Sequence, residues 1–250
     1  MKALITGASS GIGRDMARIL SDKYDELILV ARNEFALKEL QDELRDKCSI
    51  KIVAMDLANS ENCIKLHDEN PNIDLLINNA GFGDCGDFAL TDLNKDLSMI
   101  STNVIAYHIL TKLYLADMKR VNTGHILNVA SIAGFIPGPL MATYYATKNY
   151  VVNLSESIRE ELRREKSNVK ISILCPGPVD TNFNRVANVS FSMKGLKSEY
   201  VANYALKHLN KFYIVPGFGV KLARIGAHLL PNSLIAKITY NVQHRKIEGK

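Results

Sequence analysis

The chain has few cysteines, and none of them is arranged to hold a metal ion. Its 250 residues contain four, Cys48, Cys63, Cys85 and Cys175, with no C-x-x-C pair and no histidine cluster beside them. Zinc sites need closely spaced cysteine and histidine ligands, and disulfide frameworks are dense in cysteine. The sequence therefore predicts neither a metal site nor a disulfide framework, and it favours a reducing, cytoplasmic compartment.

Long apolar runs and targeting segments are also missing. No stretch approaches the roughly 20 apolar residues that a helix needs to cross a bilayer. The first predicted strand begins almost at Met1, which leaves no room for a signal peptide. Neither a low-complexity linker nor an internal repeat is present. Residues 1–250 are therefore expected to form a single domain, with 47% apolar residues available for its core.

Acidic residues are scarce at the C-terminal end. The whole chain carries a formal net charge of +5, but residues 201–250 hold eight lysines and arginines and one acid, Glu248. This segment contributes +7, so the other 200 residues contribute −2. The basic character is therefore local, which argues against a nucleic-acid-binding surface along the chain. Residues 217–250 are predicted to form a basic C-terminal extension.

Short apolar runs alternate with longer helical stretches. The runs are rich in Ile, Val and Leu without strict alternation, as in strands buried on both faces. They cover residues 2–5, 26–30, 50–55, 74–77, 125–129, 170–174 and 212–216. Apolar residues at helical spacing mark helices around 37–44, 93–104 and 151–162. The alternation predicts an α/β fold: a Rossmann-like, doubly wound parallel sheet of about seven strands with helices on both faces.

A glycine-rich loop follows the first strand, at the sheet edge where such folds bind ligands. It reads Thr6-Gly7-Ala8-Ser9-Ser10-Gly11-Ile12-Gly13 and opens a helix near Gly11. Glycines let the turn tighten, and the helix N-terminus offers N–H groups and a positive dipole end to a pyrophosphate. An ordinary glycine-rich turn is the alternative, but the place at the first strand–helix junction favours a dinucleotide site. The predicted contacts are Gly7, Ser9, Ser10, Gly11, Ile12 and Gly13.

The end of the second strand lacks the acid that would bind the ribose hydroxyls of NAD. It reads Leu29-Val30-Ala31-Arg32-Asn33. The planar guanidinium of Arg32 suits a 2′-phosphate, so the sequence favours NADP(H) over NAD(H). The alternative is that Arg32 is a solvated residue at the start of a loop.

Tyr144 and Lys148 are four residues apart and therefore share one helix face. Reducing a carbonyl requires a proton donor for the developing alkoxide, and free tyrosine titrates too high to work well in both directions at neutral pH. A nearby ammonium favours the phenolate and lowers the tyrosine pKa. Tyr145 is a competing tyrosine, but it lies three residues from Lys148 rather than four.

The spacing Gly-x3-Gly-x-Gly, with Asn103, Ser131, Tyr144 and Lys148 in that order, resembles the short-chain dehydrogenase/reductase family in its form of about 250 residues. The resemblance covers about residues 2–181. It implies that Tyr144 is the acid/base, that Ser131 orients the substrate, and that Lys148 holds the nicotinamide ribose and tunes Tyr144. It also implies that Asn103 anchors a water that relays protons. Singly, Asn103 and Ser131 are equally well interpreted as a core asparagine and a turn serine.

The same resemblance implies further cofactor contacts after the later strands. They are Asp56, Leu57, Asn79, Ala80, Gly81, Pro176, Gly177, Val179 and Thr181, together with Tyr144 and Lys148. It also implies a homodimer or homotetramer. The function expected is an NADP(H)-dependent oxidoreductase that interconverts a carbonyl and an alcohol. A catalytically silent, NADP-binding redox regulator is the alternative, although such relatives usually lack the tyrosine or the lysine.

The substrate is poorly encoded, although its walls are expected to be apolar. The candidate wall residues are Phe82, Phe135, Ile136, Pro137, Leu140, Met141, Phe183, Phe191 and Met193. Residues 182–197 form the predicted substrate loop, in which Arg185 and Lys194 are the candidate cations. An apolar ketone, aldehyde, steroid-like or acyl substrate is therefore favoured.

The basic extension contains an amphipathic pattern. Leu234, Ile238 and Val242 recur at helical spacing among Lys237, Arg245 and Lys246. Such a helix either lies on a membrane surface or packs over a cleft or into a subunit interface, and we favour packing.

Overall fold

The computed structural model describes residues 1–187, 195–217, 219–221, 226 and 229–248, with side chains described as far as His244. The strands are β1 (Lys2–Thr6), β2 (Glu26–Ala31), β3 (Ser49–Ala54), β4 (Leu75–Asn78), β5 (His125–Val129), β6 (Lys170–Leu174), β7 (Val179–Asp180), β8 (Leu196–Lys197) and β9 (Tyr213–Ile214). Seven of them form one parallel sheet in the order β3-β2-β1-β4-β5-β6-β9. The predicted seven-stranded, doubly wound architecture is therefore confirmed.

Helices cover both faces of this sheet. They are α1 (Gly11–Leu20), α2 (Glu34–Leu44), α3 (Ser60–Asp68), α4 (Leu93–Ile100), α5 (Ala106–Val121), α6 (Ala142–Arg164), α7 (Phe183–Val186), α8 (Ser198–Lys207) and α9 (Asn232–Glu248). A π-helical turn (Ser101–Ile105) joins α4 to α5, and a 3₁₀ turn (Ile132–Phe135) precedes α6.

Neighbouring residues of each central strand enter different hydrophobic cores. In β1, Ala3 and Ile5 pack in the core that α1, α2 and α8 cover, whereas Leu4 packs in the core under α3, α5 and α6. All three side chains are fully buried. Burial on both faces explains why the strands read as continuous apolar runs rather than as alternating patterns.

The helix predicted around residues 93–104 exists, but its apolar stripe does not face a core. Leu93, Leu97 and Ile100 are 69%, 52% and 38% exposed. Asp96 and Met99 are buried instead, so α4 lies with its apolar stripe toward solvent. The spacing predicted the helix correctly, but it did not predict which face of the helix is buried.

A small second sheet forms at the base of the predicted substrate loop. β7 and β8 pair in parallel, Val179 with Leu196 and Asp180 with Lys197. The strands predicted at 2–5 and 26–30 stop one residue short of the observed ones, and those predicted at 50–55 and 74–77 are shifted by one residue. β9 is shorter than the predicted run 212–216 because only two of its residues pair with β6.

No helix in the described ranges combines the length and the apolar character that crossing a membrane requires.

Candidate active site

A cleft of about 540 Å³ lies along the carboxyl ends of the central strands. Apart from Gly13, every residue predicted to contact the cofactor lines it, from the glycine loop after β1 to the Pro176-Gly177 segment after β6. Three of the four predicted catalytic residues, Ser131, Tyr144 and Lys148, line the same cleft. The fold therefore joins the two sets of predicted residues in one continuous site, as expected where parallel strands end together.

The glycine loop has no room for side chains. Gly7 and Gly11 adopt positive φ angles of 67° and 53°, which favour glycine. An added Cβ at Gly7 would lie 2.8 Å from the Cα of Ala80, and one at Gly13 would lie 2.5 Å from the carbonyl oxygen of Gly7. Gly13 therefore acts behind the loop, by letting helix α1 pack against it, rather than in the wall of the cleft.

Two polar side chains, one at the end of β1 and one after β4, tie the loop to the neighbouring strand. The amide nitrogen of Asn79 donates hydrogen bonds to the carbonyl oxygens of Thr6 and Gly7, at 3.0 and 3.2 Å. The Thr6 hydroxyl accepts from the backbone N–H groups of Asn79 and Ala80, at 2.9 and 3.0 Å. The amide of Asn79 is thus engaged with the loop itself. Thr6 was not predicted to contribute, although its place at the end of the first buried strand was a usable signal.

The N-terminus of α1 differs from those of the next three helices. Asn33, Asn59 and Asp92 cap α2, α3 and α4 by accepting hydrogen bonds from backbone N–H groups. Within the described part of the chain, the Ser10 side chain makes no such bond, and the first turn of α1 holds no acid. The first N–H groups of α1 therefore face the cleft with their positive dipole end uncompensated, which fits an anionic group such as a pyrophosphate.

The walls beside the glycine loop carry one cation and one acid from the predicted set. Arg32 follows β2 directly and is exposed at the rim. Asp56 follows β3, and its carboxylate accepts a hydrogen bond from the backbone N–H of Ala58 at 3.0 Å. Asp56 therefore forms a turn and also lines the cleft. Leu57 beside it is buried.

Tyr144 and Lys148 lie on one face of α6. The Lys148 Nζ donates to the carbonyl oxygen of Val129 at 2.9 Å and lies 6.0 Å from the centroid of the Tyr144 ring. Ser131 starts the 3₁₀ turn, where its hydroxyl accepts from the N–H of Ala133 at 3.2 Å. The end of β5 and the start of α6 thus bring the three groups together.

Burial has the largest effect on the pKa values of Tyr144 and Lys148. It raises the pKa of Tyr144, and a hydrogen bond with Ser131 opposes that rise. It lowers the pKa of Lys148 to about 8. The role of Lys148 in tuning the pKa of Tyr144 stays a prediction.

Asn103 lies in the π-helical turn rather than in a regular helix, and it is fully buried. Its amide nitrogen donates to the carbonyl oxygen of Phe82 at 2.8 Å and to the Thr147 hydroxyl at 3.1 Å. Its amide oxygen accepts from the Phe82 N–H at 3.1 Å. The side chain therefore positions the loop after β4 against α6. Its role as the anchor of a relay water stays a prediction.

Apolar side chains form part of the substrate end of the cleft. Of the predicted wall residues, Phe82, Ile136, Met141 and Phe183 line it. Phe135 packs in a core cluster with Tyr213 instead, because the 3₁₀ turn directs it away. Pro137 and Leu140 are likewise outside the described wall. Phe191, Met193 and Lys194 lie outside the described residues. Arg185 is exposed and donates to Asn182 at 3.4 Å.

The C-terminal helix α9 closes this end. Thr239, Val242 and Gln243 line the cleft, and the Thr239 hydroxyl donates to the carbonyl oxygen of Pro137 at 3.0 Å. Ile235, one turn earlier on the same face, is buried. α9 thus packs over the cleft, but not through the predicted stripe. Leu234, Ile238 and Val242 are 44%, 49% and 49% exposed, because the face of Ile235, Thr239 and Gln243 turns inward instead. The polar contribution of α9 to the site was missed because Gln243 is remote in sequence from every motif.

Comparison with known proteins identifies relatives across most of the chain. The model of the short chain dehydrogenase family matches residues 1–190. An uncharacterized oxidoreductase of Staphylococcus epidermidis is 32% identical over 220 residues, which cover 83% of this chain and 93% of that protein.

Solved structures show the same architecture. A short-chain dehydrogenase from Sphingobium yanoikuyae in complex with NADPH superposes with a TM-score of 0.81 at 26% identity, covering 91% of this chain and 95% of its own. A Burkholderia phymatum family member in complex with NAD has the same score and identity over 90% and 91%. A bulky-bulky ketone specific alcohol dehydrogenase from Comamonas testosteroni has a TM-score of 0.78 at 26% identity over 92% and 94%.

Proposed function

Since the chain belongs to the short-chain dehydrogenase/reductase family, and is thus an oxidoreductase acting on CH–OH groups, we propose that it uses NADP(H) to interconvert an apolar carbonyl compound and its alcohol. The observation that carries this proposal is the single cleft that joins the glycine loop to Tyr144 and Lys148. The candidate substrates are ketones, aldehydes, steroid-like compounds and acyl compounds.

The glycine loop and the start of α1 would hold the cofactor phosphates, because they offer backbone N–H groups and exclude side chains. Val179 and Thr181 would contact the nicotinamide carboxamide, and Asp56 and Leu57 the adenine. A bound nicotinamide cofactor supplies or accepts the hydride. The protein then has to bind the carbonyl, orient it and move a proton.

Tyr144 is the proposed proton donor and acceptor. Its burial keeps the hydroxyl protonated at neutral pH, which suits donation to an oxygen that is becoming an alcohol. The Ser131 hydroxyl beside it would hold the same substrate oxygen. Lys148 would bind the nicotinamide ribose, and its pKa of about 8 lets it exchange protons near neutral pH.

Arg32 is the basis for proposing NADP(H). Its guanidinium lies at the rim beside the glycine loop, and β2 ends in Ala31 where an NAD-binding chain would carry an acid. One solved relative holds NADPH and another holds NAD, so the fold accommodates both cofactors. The 2′-phosphate is therefore expected to pair with Arg32.

The cofactor proposal is tested by kcat/KM for NADPH and NADH. The wild-type enzyme should prefer NADPH, and Arg32→Asp should lower kcat/KM for NADPH by about tenfold or more, since one charge-assisted phosphate contact contributes about 1.5–3 kcal/mol. Arg45→Asp is the matched control, because Arg45 follows α2 as an exposed residue outside the cleft wall. A wild-type preference for NADH would overturn the proposal.

The reaction itself is tested by a panel of ketones, aldehydes, steroids and acyl thioesters, with NADPH oxidation followed by the loss of its near-ultraviolet absorbance. We expect turnover of uncharged, largely apolar carbonyl compounds. Tight NADPH binding without carbonyl-dependent oxidation across the panel would instead favour a redox-sensing regulator.

We also propose that the enzyme is a homodimer or homotetramer. The exposed stripe of Leu93, Leu97 and Ile100 on α4 is the apolar surface that a second copy would cover. Light scattering after size-exclusion chromatography should give a multiple of 27.8 kDa. Leu97→Lys should shift the distribution toward the monomer, and a monomeric wild-type enzyme would contradict the proposal.

A further inference from the structure

A second polar pair lies inside the apolar end of the cleft. The Gln243 amide nitrogen donates to the Tyr145 hydroxyl at 2.5 Å, and both residues line the cleft. Gln243 is only 1% exposed, although glutamine is usually a surface residue. Burying a polar group is costly unless it is hydrogen-bonded, so this pair is a specific feature of the site rather than a chance surface contact.

Packing holds the pair in place from two sides. A Cβ on Gly138 would overlap the Tyr145 ring, so the glycine leaves just enough space for that ring. The Thr239 hydroxyl, one turn before Gln243, donates to the carbonyl oxygen of Pro137 and fixes α9 against the same segment. The Tyr145 hydroxyl is therefore preorganised, which reduces the entropic cost of binding a partner.

The Tyr145 ring also adjoins the proposed acid/base. The centroids of the Tyr144 and Tyr145 rings are 6.0 Å apart, and the rings meet edge to face. A substrate whose carbonyl approaches Tyr144 therefore passes beside Tyr145. Apolar side chains such as Met141, Phe183 and Val242 line this end, together with the uncharged polar side chains of Thr239, Asn182 and Asn184.

In this pair, the Tyr145 hydroxyl is a neutral hydrogen-bond donor for the cleft. A phenol hydroxyl both accepts and donates, so Tyr145 accepts from Gln243 and keeps its own proton for an acceptor in the cleft. Burial raises its pKa to about 12, so that proton is retained at neutral pH. The described wall of this end carries no cation other than Lys148, which is directed to Val129, so a carboxylate or phosphate would lack a counter-charge.

We propose that Tyr145 and Gln243 form a second polar subsite, which binds an uncharged oxygen of the substrate while its carbonyl lies at Tyr144. This proposal rests on the proposed carbonyl–alcohol function and specifies its substrate class. The substrate is an apolar carbonyl compound that carries a second neutral oxygen, as in a diketone or a hydroxyketone. Gln243 is a positioning residue, since it acts through Tyr145.

A bicyclic diketone and the monoketone of the same carbon skeleton test the subsite. The wild-type enzyme should reduce the diketone with a kcat/KM about tenfold higher than that for the monoketone. The monoketone leaves the Tyr145 hydroxyl without an acceptor, and this unpaired polar group weakens its binding. Tyr145→Phe and Gln243→Met should each remove most of this preference, by raising the KM for the diketone more than the KM for the monoketone. Because the two residues act as one unit, the double variant should lose little more than either single variant.

Two controls separate a subsite from a structural contact. Gln243→Glu retains an oxygen acceptor for the Tyr145 proton but removes the donor, so it should not restore the diketone preference. Asn241→Ala changes an exposed residue of α9 and should behave as wild type. Thermal melting of each variant with NADPH reports whether the fold and the cofactor site are intact.

The outcomes distinguish the two proposals. Equal losses for diketone and monoketone in both variants, or no diketone preference in the wild-type enzyme, would overturn the subsite and leave the carbonyl–alcohol function standing. If the wild-type enzyme bound NADPH but reduced neither ketone nor any other carbonyl compound of the panel, the proposed function would fail, and the subsite with it.

Discussion

The two ends of the cleft are built in different ways. The cofactor end consists of short turns that directly follow buried strands, and backbone groups make its principal contacts, as at Thr6 and Gly7. The substrate end consists of side chains from segments far apart in sequence, such as Phe82, Met141 and Gln243. The cofactor end is therefore determined by local chain geometry, and the substrate end by the packing of elements that are distant in sequence.

This difference predicts different responses to substitution. At Gly7 and Gly13 of the cofactor end, a single added methyl group meets backbone atoms, which move only if the sheet moves. At the substrate end a changed side chain meets other side chains, which repack at lower cost. The reaction should therefore be sensitive to changes at one end, while the choice of substrate should be adjustable at the other.

The largest expected effect lies where the two ends meet. Tyr144→Phe removes the proposed proton donor and should lower kcat by about a thousandfold, within the range for general acid–base groups. Cofactor affinity should remain close to wild type, because the glycine loop is untouched. Single-turnover kinetics and NADPH titration measure the two quantities.

Tyr145→Phe is the matched control for this prediction, since it removes the same atom from the next residue. It should leave reduction of a simple monoketone within about threefold of wild type. If Tyr145→Phe abolished turnover and Tyr144→Phe did not, the assignment of the acid/base would be reversed.

Gly13→Ala tests the rigidity of the cofactor end. Its Cβ would lie 2.5 Å from the Gly7 carbonyl oxygen and from the Asn79 amide nitrogen. We expect the free energy of unfolding to fall by about 1–3 kcal/mol, the usual cost of overpacking, and the KM for NADPH to rise by about tenfold or more. Substrate selectivity should not change.

Gly219→Ala is the control for that variant, because an added Cβ there has no heavy atom within 4 Å among the described residues. It should melt and bind NADPH as wild type does. A Gly13→Ala enzyme with unchanged stability and cofactor affinity would show that the glycine loop accommodates a side chain. The cofactor end would then be no more rigid than the substrate end.

The smallest expected effect concerns the sheet that supports both ends. Burial lowers the pKa of His125, at the start of β5, to about 4. The unfolded chain has the ordinary histidine pKa of about 6.5 and binds the proton more readily. The contribution of the neutral His125 to the free energy of unfolding is therefore complete above a pH of about 6.5. It declines as the pH falls toward about 4, by on the order of 2–3 kcal/mol.

Denaturant unfolding of the wild-type enzyme and His125→Gln between about pH 7 and pH 4 measures this difference. The variant should lose less stability on acidification, and its kinetic constants at neutral pH should match those of wild type. Because one sheet carries both ends of the cleft, cofactor binding and turnover should fail together on acid unfolding. Parallel pH profiles for the two proteins would show that His125 does not contribute.

Local patterns in the chain predict much of this molecule. The glycine loop, the strand ends and the Tyr144–Lys148 pair were predictable because each depends on local spacing: turns after buried strands, and two residues on one helix turn. The π-helical turn at Asn103 and the outward stripe of α4 were not, because helical spacing does not reveal which surface lies opposite.

The sequence by itself determined the succession of strands along the chain and the glycine-rich turn after the first strand, since these follow from short-range periodicity. Its motifs at fixed spacing, through the family that they resemble, also gave the reaction class. Only the tertiary structure decided that Tyr144 is buried and that this burial raises its pKa, because desolvation depends on everything that surrounds a group. Only the tertiary structure, likewise, places Gln243 in contact with Tyr145, which lies 98 residues earlier in the chain. Contacts across such distances arise from packing of whole elements, which local sequence does not encode.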